Sequence, residues 1–69
     1  MTAPIIDYAY PCMLAETALK NLHLATIHGD YDAAMEHGVE ALVEMKLTLN
    51  NIRLMKEQRD ALRNQTQTV

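Results

Sequence analysis

The chain has 69 residues, one cysteine, nine acidic and six basic residues, and a net charge of −3. A domain near 60 residues buries only ~60% of its unfolded surface, so one this small needs a disulfide, a metal or another subunit. Cys12 alone excludes an intrachain disulfide framework, and no metal-ligand cluster stands at a recognisable spacing, which leaves a second subunit as the expected source of stability.

Residues 1–10 (MTAPIIDYAY) read as an extended arm, because the residue before each of Pro4 and Pro11 is biased away from helical dihedrals. Ile5, Ile6, Tyr8 and Tyr10 make the arm apolar enough to pack over the open end of the helices or onto a second subunit. Pro11 suits the first turn of a helix, and the spacing predicts that helix over 11–28. Cys12, Leu14, Ala15, Ala18, Leu19, Leu22 and Ala25 share one broad face of it, while Met13, Leu24 and Ile27 form a smaller apolar patch elsewhere. Gly29 is a helix stop and Asp30 a helix cap, so the two helices are expected to form an antiparallel hairpin.

The second helix is predicted over 31–64, with a polar, frayed tail at 65–69. Its first apolar stripe is Tyr31, Ala34, Met35, Gly38, Ala41, Leu42, Met45, Leu49 and Ile52, a core face against helix one. Its second stripe, Val39, Val43, Leu47, Leu54 and Ala61, lies well round the helix and is expected to be a dimer interface. Charge changes sign along the chain. Residues 1–44 carry Asp7, Glu16, Asp30, Asp32, Glu36, Glu40 and Glu44 against Lys20, whereas 45–69 carry Lys46, Arg53, Lys56, Arg59 and Arg63 against Glu57 and Asp60. That polarity complements the helix dipole and favours antiparallel pairing of two long helices. The expected fold is therefore all-α, an antiparallel helical hairpin with a long second helix in a homodimeric helical bundle.

Candidate chemistry is sparse. His23 and His28 are five residues apart and point in different directions, His37 has no completing ligand, and Cys12 falls on the core face, so neither metal, cofactor nor catalysis is expected. Arg53, Lys56, Arg59 and Arg63 gather beyond the reach of helix one, as a salt-bridging face or one that docks on another protein. Nucleic acid is a weaker reading, because the chain is acidic and lacks stacking aromatics there. Asp32, Glu36, Glu40 and Glu44 repeat every four residues and suit either solvent or a basic partner such as a DNA-binding domain. The expected partner-binding set is Tyr8, Tyr10, Met13, Leu24, Ile27, Arg53, Lys56, Arg59 and Arg63. No basic stretch leads into an apolar run at the N-terminus, and no segment approaches ~20 apolar residues, so a cytoplasmic, membrane-free protein is expected.

The segment 29–42, with Gly29, Asp30, Tyr31, Ala34, Ala41 and Leu42, resembles the turn and second helix of a tetratricopeptide repeat. Asn21 and Leu22 depart from that pattern, Gly38 replaces its later aromatic, and a single unit is too few for a repeat array, so the likeness is one of helical-hairpin physics. In length, apolar arm, single hairpin and long second helix, the whole chain resembles the phage-encoded anti-quorum-sensing proteins. That resemblance implies a small helical dimer in the host bacterial cytoplasm that sequesters a LuxR-type (or LasR-type) transcription activator and blocks its DNA binding. It also implies, as a second target, the type IV pilus assembly ATPase. No diagnostic motif carries over any residue role. The alternative is a structural or assembly helper whose helical dimer is its function, with a nucleic-acid-binding accessory protein third.

Overall fold

The computed structural model describes residues 6–67, with side chains for 6–64. It is an all-α hairpin of two helices, α1 (Ala9–Ile27) and α2 (Tyr31–Gln67), with no strand among the described residues. Ile5, which the sequence placed in the apolar arm, lies outside the described residues, as do 68–69 of the tail.

Helix α1 starts at Ala9, two residues before the predicted 11–28, so Tyr10 belongs to the helix and the arm is shorter than 1–10. The cause is local. The carboxylate of Asp7 accepts the backbone N–H groups of Ala9 and Tyr10 at 3.0 and 3.1 Å, satisfying two of the donors a helix start leaves open. Pro11 sits in the same turn, where a missing N–H costs no helical bond, and the first bond of the ladder runs from Cys12 N–H to the Tyr8 carbonyl. The cap thus overrides the extended bias of the residue before proline.

Helix α1 ends in a Schellman motif. Gly29 takes φ +78°, its N–H bonds the Thr26 carbonyl at 3.1 Å, and Asp30 N–H bonds the Ala25 carbonyl at 2.9 Å. Asp30 then turns its carboxylate onto the N–H of Ala33 at 3.2 Å and caps α2. Three residues therefore reverse the chain. From there α2 runs through Gln67, past the predicted end at 64.

The seam between the helices is made of small side chains. Pro11, Ala15 and Ala18 are buried on α1, against Ala34, Ala41 and Thr48 on α2. A Cβ built on Gly38 meets Leu22 Cδ1 at 3.1 Å, so the absence of a side chain there lets α1 come close. Thr48 satisfies its hydroxyl by donating to the Glu44 carbonyl at 2.8 Å. At the far end, Asn51 Nδ2 donates to the Asp7 carbonyl at 2.9 Å and ties the start of α1 to α2.

This seam corrects the first stripe. Ala34, Gly38 and Ala41 face α1 as expected, but Tyr31, Met35, Leu42, Met45, Leu49 and Ile52 are exposed, as is Leu19 of the α1 face. One helix covers only a narrow strip of another, and small residues at the strip draw the axes together. The large side chains on its flank are left outside. The result is a slab of 62 × 21 × 12 Å, whose thinnest dimension is about one helix diameter. Its radius of gyration is 17.4 Å, where a compact chain of this length has roughly 11 Å.

Candidate functional site

The hairpin presents its exposed apolar and charged side chains on four surfaces. On α1, Met13 and Leu24 stand eleven residues apart, three full turns, and so lie on one line with Tyr10 and Ile27 beside it. All four are exposed, Tyr10 and Ile27 at 64% each. Nothing in the hairpin covers this line, because α2 packs on the other side of α1.

The second surface is where α2 outruns α1. Tyr8, just before the first turn of α1, reaches over α2 and lines a groove with Ile52, Met55, Lys56 and Arg59. The groove has an apolar floor and a basic rim. It joins a tyrosine and two cations that the sequence had placed in one binding set but could not place together. Met55, exposed at 39%, was missed: it stands in neither apolar stripe, and only the position of Tyr8 brings it into a groove.

On the outer side of α2, Val43 and Leu47 line a second groove with Lys46, Leu49, Asn50 and Arg53. Arg53 donates to Asn50 Oδ1 at 2.6 Å, and Arg59 pairs with its neighbour Asp60 at 3.2 Å. The four bases expected on one face are therefore divided: Arg53 belongs to the outer groove, Lys56 and Arg59 to the groove beside Tyr8. Arg63 is exposed farther along α2. Val39, Val43, Leu47, Leu54 and Ala61 are all exposed on α2. Asp32, Glu36 and Glu40 are exposed around its first half, and Glu44 is half-buried toward α1.

Comparison with protein-family models, characterised proteins and solved structures returned no match.

The fourth surface is the flank already described, with Met35 exposed at 72% and Leu42 at 71%. Polar chemistry is dispersed by contrast. His37 Nδ1 lies 3.2 Å from Glu40 Oε1 on the same helix, and the Cys12 thiol donates to Glu16 at 3.7 Å. Among the described residues, no three His, Cys, Asp or Glu side chains are placed to hold a metal ion, and no helix is long and apolar enough to cross a membrane. What the arrangement offers chemically is adhesive area, with apolar side chains on most sides, a net acidic first half of α2 and a net basic second half.

Proposed function

We propose that this chain is a protein-binding inhibitor that acts by occupying a surface of another protein. The observation that carries this reading is the inversion of burial. Among the described residues the buried apolar ones are Ala15, Ala18, Ala34 and Ala41, together with Pro11, while side chains as large as Met35, Leu42 and Tyr31 stand in water. Exposed apolar area of that extent marks interaction surfaces. A LuxR-type quorum-sensing activator is the first target to test, and the type IV pilus assembly ATPase the second. The outer stripe of α2 supports a DNA-binding domain as the docking point. Val39 and Val43, with the carboxylates of Asp32, Glu36 and Glu40 around them, make an apolar and acidic surface that complements the basic surface such a domain presents to phosphate.

The test is a titration of the purified chain against a purified LuxR-type activator, with promoter DNA binding read in parallel. Stoichiometric complex formation at micromolar concentration with release of the DNA is expected. Absence of a complex with either target removes the inhibitor reading. A chain that forms its own assembly and captures neither target is instead the structural helper.

A further inference from the structure

Among the described residues of α2, the buried ones are Ala34, Ala41 and Thr48, each one heptad after the last, and they mark the line along which α1 lies. The same interval leads on to Met55 and Leu62, exposed at 39% and 65%. Helix α1 starts at Ala9, with Tyr8 beside Ile52 and Met55, so no described helix covers the line beyond them. The side chains change where the cover ends. Alanine and threonine, which let α1 come close, give way to methionine and leucine, and Ile52 and Arg59 fill the alternate places. From Ile52 to Gln67 this uncovered stretch is roughly 24 Å long at ~1.5 Å per residue.

We propose that this stretch is a second docking site, separate from the acidic outer stripe, and that it takes an acidic amphipathic helix of a partner protein. The partner helix lies where α1 would lie if α1 were longer. Three observations select this occupant. The first is continuity. Along this line α2 already packs one helix, and Ile52, Met55, Arg59 and Leu62 keep the spacing that receives another. The second is charge. Lys56 and Arg59 rim the groove beside Tyr8, and Arg63 is exposed one turn farther on. Asp60 accepts from Arg59 Nε and Nη2, at 3.2 Å each, which leaves Nη1 for a carboxylate of the partner. The other nearby acids are turned to different uses. Glu57 stands between Leu54 and Ala61 on the outer stripe, and the Asp7 carboxylate holds the first N–H groups of α1. The third is the apolar floor of Ile52 and Met55, which an amphipathic helix fills and a phosphate backbone does not need. Two copies meeting through this face would set Lys56 and Arg59 against their own counterparts. Residues 1–5 carry no acidic side chain to offer it.

The inference goes beyond the inhibitor reading and does not depend on either target named there. A fluorescein-labelled synthetic helix of about 16 residues serves as probe, with leucines along one face and glutamates on both edges of it. Its anisotropy is followed against the whole chain at ~0.15 M salt, where screening confines charge effects to about 8 Å. Saturable binding at micromolar concentration is expected, and Lys56→Glu with Arg59→Glu should weaken it at least about fivefold. Lys46→Glu with Arg53→Glu, in the outer groove, should change it by less than about twofold. Should a charge variant lose its helicity, two further measurements decide. The probe with lysine in place of glutamate should not bind, and Met55→Ala with Leu62→Ala should weaken the original probe. Failure of the glutamate probe to bind, equal binding of the lysine probe, or an equal loss from the outer-groove variant overturns the proposal. Displacement of the probe by a random-sequence DNA duplex overturns it in favour of nucleic acid. A lower sedimentation mass for Lys56→Glu with Arg59→Glu overturns it in favour of a contact between copies. A complex with a LuxR-type activator alongside a failed probe removes this site alone, and a bound probe without either target removes only the inhibitor reading.

Discussion

Asp30 is a single side chain on which the hairpin geometry turns. It closes the Schellman motif of α1 with its N–H and caps α2 with its carboxylate. Replacing it with alanine removes the cap but leaves the backbone bond, so the expected loss is about 0.5–2 kcal/mol of stability, read from thermal or urea unfolding followed by circular dichroism. Gly38 tests the close approach at the seam. A leucine there must displace Leu22 or spread the helices, and overpacking of this kind costs about 1–3 kcal/mol. Gly38→Leu should therefore lower the unfolding midpoint by at least several degrees. Gly29 has room for a side chain, with nothing within 4 Å, and its constraint is instead the positive φ.

The two helices differ in what holds them. Over 31–51, α2 has α1 alongside, and the Asn51–Asp7 bond marks where that support ends. Past it, Tyr8 lines a groove with Lys56 and Arg59, and the helix continues to Gln67. Amide exchange should accordingly be fast beyond Arg59 in the unliganded protein and slower across 34–48, with the overhang gaining protection when a target binds. A uniform exchange profile along α2 contradicts this division of the helix. Lys56→Glu with Arg59→Glu reverses the charge on the rim of the Tyr8 groove. If the groove contacts the target, affinity should fall at least about fivefold, the ~1 kcal/mol that distinguishes an interface residue that matters.

As a whole, the molecule is a layer one helix thick, and stable domains are built from two or more packed layers. Alanine contributes little apolar area per residue, so a core of Ala15, Ala18, Ala34 and Ala41 gives a single chain weak support. Any association that covers the exposed apolar flank of α2 is then coupled to folding. The unfolding midpoint should rise with protein concentration, as mass action requires when the folded state is the one that associates. A midpoint independent of concentration over a hundredfold range is the outcome that contradicts this coupling.

The hairpin was legible in the sequence because its determinants are local. Gly29 and Asp30 lie next to each other and act through backbone bonds within a few residues. The long helix follows from uninterrupted helix-forming residues over 31–64. The start of α1 was misplaced for a similar reason: Asp7 caps from two residues upstream, and the prolines drew attention to the extended state instead. Periodicity also found that α2 is apolar on more than one side. It could not say how much of the first stripe one partner helix covers, since that depends on the distance between the axes. The small residues Gly38, Ala15, Ala18, Ala34 and Ala41 set that distance across the hairpin, and only the packed structure showed Leu42 and Met35 left outside. That Tyr8 shares a groove with Lys56 and Arg59 is likewise a fact of register between segments more than forty residues apart, fixed where α1 begins and ends and invisible to spacing along the chain.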